Sequence, residues 1–194
     1  MKINRGCLAL VICIFLLFSI TFIGCRKNIV QIQPEETTTV EVPKDLYPKE
    51  QRQVAPEFNL PILDGSGDLS LASLKGKYIL IDFTTTWCGY CTLQEPQVID
   101  LHKKYETKGF TVIAIDCEES KQIVLGKYPS GKNLYPVILD EDGYVSKKLY
   151  GIQGYPLYLL IDKNGKVAYV QSRYKENMFQ TVSEILDYLM KNES

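Results

Sequence analysis

Tyr78-Ile79-Leu80-Ile81-Asp82-Phe83-Thr84-Thr85-Thr86-Trp87-Cys88-Gly89-Tyr90-Cys91 decides how this chain is read. Its first half is apolar on both alternations except at Asp82, the pattern of a strand covered on both faces. A helix-like stretch, Gln94 to Lys108, follows it. The expectation is a strand over 78–84, a tight turn, and a helix over 89–108 with the cysteine pair in its first turn. Two residues between cysteines in a helical turn bring the sulfurs close enough to bond. The first cysteine then lies at a helix N-terminus, where unpaired N–H groups and the helix dipole favour a thiolate. A thiolate is the attacking species in disulfide exchange, and a second cysteine resolves the mixed disulfide. A Cys-x-x-Cys between strand and helix is therefore a redox signal.

Two blander readings compete. Half of a zinc site needs two further ligands. Downstream there are only Cys117 and the lone histidine His102, with no second Cys-x-x-Cys, so no metal is expected. A purely structural disulfide is the other alternative, although two-residue loops at a helix start are unusual for staples. Asp82 is either a strand-end carboxylate that reaches solvent or a buried one with a purpose, because burial without one is costly. In the second case burial raises its pKa. His102 and Glu95 read as solvated helix residues, and Cys117 as a small, partly buried strand-end residue. Pro96 should break or kink the helix, since it removes one backbone bond.

Ile79-Leu80-Ile81-Asp82-Phe83, then Trp87-Cys88-Gly89-x-Cys91, then Pro96 resembles the active-site region of thioredoxins. The wider chain is similar to membrane-anchored oxidoreductases of the TlpA/ResA type. That likeness takes in Ala55-Pro56-Glu57-Phe58, Ser70 to Lys77, Tyr135-Pro136-Val137-Ile138-Leu139-Asp140 and Gly151-Ile152-Gln153-Gly154-Tyr155-Pro156. The resemblance implies a thioredoxin-like α/β fold, a central mixed sheet flanked by helices, with an N-terminal β-hairpin and an inserted strand–helix element. It implies that Cys88 attacks, Cys91 resolves, and Asp82 moves the proton of Cys91. It also implies a cis Tyr155-Pro156 bond facing the cysteine pair, with Trp87, Tyr90, Tyr155 and Pro156 receiving substrate. The chain departs from the family at Gln94, where a glutamate is common. The acid stands instead at Glu95, turned by about 100° on a helix. Tyr155 is bulkier than the usual residue there.

The N-terminus has its own character. Lys2 and Arg5 precede an almost wholly apolar run from Leu8 to Ile23, and Phe22-Ile23-Gly24-Cys25 resembles a bacterial lipoprotein cleavage box. Residues 1–24 are expected to be a signal peptide, Cys25 the lipidated residue, and 25–53 a tether rich in proline and threonine. An uncleaved anchor helix is the alternative. Either way residues 54–194 form one domain outside the cytoplasm. A formal net charge of -1 leaves no basic surface for nucleic acid.

Further along, residues 58–63 and 69–71 flank Asp64-Gly65-Ser66-Gly67-Asp68, a hairpin signal. Strands are expected over 110–116 and 134–140, and short helices over 118–128 and 144–150. A hairpin turns at Asn164-Gly165, and an amphipathic helix closes the chain over 178–191. The expected function is thiol–disulfide exchange on exported proteins, with protein clients and a dithiol donor as partners and no cofactor. The rivals are a disulfide oxidant or isomerase, a peroxidase of the peroxiredoxin type, and a non-catalytic tethered binding module. Against the peroxidase, Leu80 stands where many peroxiredoxins carry proline. Gly89-Tyr90 between the cysteines resembles the periplasmic isomerases, which are less reducing than thioredoxin. Those isomerases have a dimerisation domain that residues 26–53 are too short to supply. A monomeric reductase, less reducing than thioredoxin, is the expectation. Tyr90 also keeps an N–H that proline lacks, and one more donor is expected to face the Cys88 sulfur.

Overall fold

Five strands share one sheet in the order β5-β4-β3-β6-β7. The computed structural model describes residues 41–129 and 133–193. A small hairpin comes first, β1 (Asn59–Pro61) paired antiparallel with β2 (Asp68–Ser70). A 3-10 turn, Leu71–Leu74, leads into β3 (Tyr78–Thr84), the central strand, buried along its whole length. β4 (Phe110–Cys117) and β5 (Val137–Asp140) run parallel to it. β6 (Leu157–Ile161) and β7 (Val167–Ser172) complete the sheet antiparallel. The helices are α1 (Gly89–Tyr105), α2 (Lys121–Lys127) and α3 (Met178–Asn192), and Tyr144–Leu149 forms a π-helical turn.

Alternation along β3 splits the core in two. Tyr78 and Leu80 join Val112, Ala114 and Leu160 against Val98 and Leu101 of α1 and Ile185 and Leu189 of α3. Ile79, Ile81 and Phe83 face the other way, toward Phe58, Leu71, Val145 and Ile152. The two faces of one buried strand thus specify the two covering layers. Nothing in this arrangement departs from the expected mixed sheet flanked by helical elements.

Several local expectations are corrected. α1 runs unbroken through Pro96, which stands two turns in where the surrounding helix holds it. The turn at Asn164-Gly165 is longer than a two-residue connection: Asp162 N–H donates to Lys166 O, and Gly165 takes φ 77°, which favours glycine. The end of the stretch expected to be a tether is folded. Leu46 enters the core, and Tyr47 N–H donates to Ala168 O. Arg52 is buried and forks onto Glu193 at 2.7 and 2.8 Å, while also reaching Asp162 at 3.1 Å. The expected cleavage box, Cys25 and the first part of the tether lie outside the described residues. Among the described residues no helix is long and apolar enough to cross a membrane.

Candidate active site

The chain leaves β3 at Thr84 and enters α1 at Gly89, so four residues carry it from the end of the strand to the helix start. Cys88 is the residue that caps α1, and it is disulfide-bonded to Cys91. Both are almost fully enclosed. Cys91 N–H donates to the Cys88 sulfur at 3.1 Å. The sequence pointed to the Tyr90 N–H, and the structure gives that role to Cys91 instead. A helix N-terminus with a donor on the sulfur favours the thiolate of Cys88 once the bond is reduced.

Asp82 is buried in β3, six residues before Cys88, opposite Tyr158 of β6 and Ala114 of β4. Its Oδ1 has no hydrogen-bond partner among the described groups. Burial pushes its pKa up to about 7, against the pull of Lys127 and with a push from Glu95. The strand-end reading, with the carboxylate in solvent, does not hold. Enclosure by α1 and the neighbouring strands is the reason.

Glu95 is likewise not a solvated helix residue. It is half-buried, 3.3 Å from Lys127 Nζ, and accepts from the Tyr128 hydroxyl at 3.3 Å. α2 brings both partners to it, which α1 alone could not reveal. Gln94 is fully buried and hydrogen-bonded at both amide atoms to the backbone of Lys175. His102 also departs from expectation. It is buried beside the Tyr135 ring, pairs with Glu106, and burial holds its pKa below the ordinary value. Cys117 is fully enclosed, donates to Ile115 O, and burial pushes its thiol far up.

Around the pair stands a rim of exposed rings. Trp87 is 71% exposed and meets Tyr155 edge-on, with ring centres 6.0 Å apart. Tyr90 is 62% exposed and stacks on Tyr174 at 5.9 Å. Leu93, three residues after Tyr90 on α1, is exposed as well. The Tyr155-Pro156 bond is cis. The Tyr155 hydroxyl donates to Glu118, which Lys147 pairs at 3.1 Å. Gly143 takes φ 69°, which favours glycine, and a Cβ there would also sit 2.8 Å from Glu118 Cγ.

Sequence reasoning missed three neighbours of the site. Tyr174 left no signal in its own segment. Glu119, which accepts from Thr86 N–H and Oγ1, hides in an acidic pair. Asp116 ends an apolar strand as Asp82 interrupts one, and that parallel was a usable signal.

Over residues 52–170 the chain matches the AhpC/TSA family. It is 34% identical over 137 residues to "Thiol-disulfide oxidoreductase ResA" of Bacillus thuringiensis subsp. konkukian, covering 71% of this chain and 75% of that protein. Among solved structures, the thioredoxin domain of a thiol-disulfide oxidoreductase from Bacteroides vulgatus superposes with a TM-score of 0.60 at 26% identity. That match covers 68% of this chain and 94% of that one. A thiol:disulfide interchange protein of the thioredoxin family from Chlorobium tepidum gives 0.59 at 26% identity, over 72% and 97%. Family match, relatives and a closed cysteine pair at a helix start agree: the chain belongs to the AhpC/TSA family and is a thiol–disulfide oxidoreductase.

Proposed function

We propose that this oxidoreductase works as a protein-disulfide reductase on exported proteins, as a monomer held to the membrane on its outer side by a lipid on Cys25. The observation that carries the reading is a nearly enclosed Cys88 that caps α1, six residues after a buried Asp82 whose pKa burial pushes up to about 7. A base poised near neutrality suits proton transfer at working pH. The Cys88 thiolate attacks a client disulfide, and one client sulfur leaves with the electron pair. Cys91 then gives its proton to Asp82 and attacks Cys88, and the second client sulfur leaves. The client gains two electrons and the pair closes. Another dithiol protein reopens it.

Trp87, Tyr90, Tyr155 and Pro156 receive the client. The exposed rings supply apolar contact area, and the backbone before Pro156 pairs with an extended client segment like an added strand. Exposed aromatic residues grouped around an enclosed disulfide support this placement. The lipid anchor and the outer location rest on the apolar run and the box at 22–25.

A redox titration of the Cys88–Cys91 pair, together with Cys91→Ser trapping, tests the reading. The expected potential is less reducing than that of thioredoxin, about -270 mV, but well short of the strong oxidants near about -120 mV. Cys91→Ser should hold a client through Cys88 as a mixed disulfide. A pair as oxidising as those oxidants, with efficient oxidation of reduced clients, overturns the reductase assignment.

A further inference from the structure

Asp116 is a buried carboxyl for which the exchange steps above have no use. Strand register sets it beside Asp82. Asp82 lies opposite Ala114, and Asp116, two residues on, lies opposite Thr84. Residues two apart share a sheet face, so both carboxyls stand on the face that α1 covers. That face carries Leu80, Val112 and Ala114 against Val98. Both also lie toward the end of the parallel strands from which the Cys88 turn departs.

Asp116 is fully enclosed, and neither of its carboxyl oxygens accepts a hydrogen bond from a described donor. Its near neighbour is the carboxyl of Glu119. Two carboxyls can hydrogen-bond only when one of them holds a proton. Glu119 in turn accepts from Thr86, two residues before Cys88. An acid enclosed without a donor is costly, and the strand around it is otherwise nearly all apolar. Packing gives no reason for it.

We infer that Asp116 is a positioning residue for proton transfer in the redox site: with Asp82 it forms a buried carboxyl pair, and it takes on, toward Glu119 and the Thr86 turn, the proton that Asp82 accepts from Cys91. This rests on the proposed roles of Cys91 and Asp82. In the step, the Cys91 S–H bond breaks and its proton goes to the Asp82 carboxylate. The Cys91–Cys88 bond forms while the bond from Cys88 to the client sulfur breaks. The client thiolate leaves with the electron pair. Asp116, which holds a proton at neutral pH, passes that proton on toward Glu119 and takes up the one on Asp82, and no carboxyl changes oxidation state.

The electrostatics fit such a pair. Burial, then the nearby carboxyl of Glu119, push Asp116 up to about 8, and the Asp82 charge adds to this. Asp82 stands at about 7. The groups that face them are Glu95 of α1, Lys127 of α2, Tyr128 just beyond it, Tyr135 before β5, Tyr158 of β6 and Glu119 after β4. Lys127 favours the ionised forms, and burial outweighs it. Two proton-binding steps near neutrality follow, and they belong to the pair.

The test follows a fluorescent peptide disulfide through single turnover with reduced full-length protein, separating attack by Cys88 from release of the mixed disulfide, across pH 5 to 9. Asp116→Asn keeps the shape and removes the titratable proton, so circular dichroism should show a folded protein. Attack should stay within about twofold. Release at pH 7 should slow by about fivefold, less than the roughly 10²-fold lower end for losing the base itself, and its pH profile should lose one of two titrations. Infrared spectra should lose one of two buried protonated carboxyl bands. If Asp116→Asn matches the wild-type release profile and attack is normal, the inference fails and the reductase reading stands. If wild-type Cys88 does not attack the peptide at all, both fail.

Discussion

Gln94 holds Lys175 through both polar atoms of its amide: Nε2 donates to Lys175 O at 3.1 Å, and Oε1 accepts from Lys175 N–H at 3.0 Å. Gln94 belongs to α1, and Lys175 follows Tyr174, whose ring stacks on Tyr90. One buried amide thus ties the segment after β7 to the helix that starts at the cysteine pair. A carboxylate could accept from the N–H but would face the carbonyl with no donor. The glutamine found where TlpA/ResA-type chains commonly carry glutamate therefore fits its surroundings here.

Gln94→Glu should destabilise the protein by about 1–3 kcal/mol, the cost of a buried carbonyl left without its donor. Denaturant unfolding at pH 7 measures it. The loss should shrink in acid, where a protonated glutamic acid regains a donor. An unchanged midpoint at pH 7 would remove the amide from any part in holding Tyr174.

Asp82→Asn should leave attack by Cys88 nearly intact and slow release of the mixed disulfide by about 10²-fold, the lower end for losing a general base. Stability should move the other way. The folded pKa, about 7, is raised above the ordinary carboxylate value, so the fold favours the neutral form. That contribution is complete below about pH 4 and is lost as pH rises through about 7. The asparagine variant escapes this loss and should be more stable than wild type above pH 7, by on the order of a few kcal/mol. Thermal unfolding at pH 4 and pH 8 checks the sign.

Brief alkylation of reduced protein at neutral pH should mark Cys88 first. Its sulfur caps a helix and receives an N–H, whereas the Cys117 thiol is enclosed and pushed up by burial. Peptide mapping reads the order. Early labelling of Cys91 or Cys117 contradicts the assignment of the attacking sulfur.

Arg52→Ala should cost about 3–5 kcal/mol, because it leaves the buried carboxylate of Asp162 without its cation. Arg52→Lys should recover part of this, since lysine keeps the charge but loses the fork onto Glu193. Equilibrium unfolding of the two variants separates charge from geometry.

The strand over 78–84, the turn to Cys88, the helix behind it and the closing amphipathic helix were all legible in the sequence, because each is written in local periodicity and spacing. The redox pair was legible for the same reason: four consecutive residues contain the whole signal. The tertiary structure decided which polar side chains are enclosed. His102, Glu95 and Gln94 look alike as helix residues, yet Tyr135, Tyr128 and the Lys175 backbone come from distant segments to cover them. Arg52 looked like tether until β-hairpin β6–β7 and the end of α3 brought Asp162 and Glu193 to it. Asp116 joins Asp82 only through the parallel register of β3 and β4. Burial depends on what the rest of the chain places overhead, and a window of neighbouring residues holds no information about that.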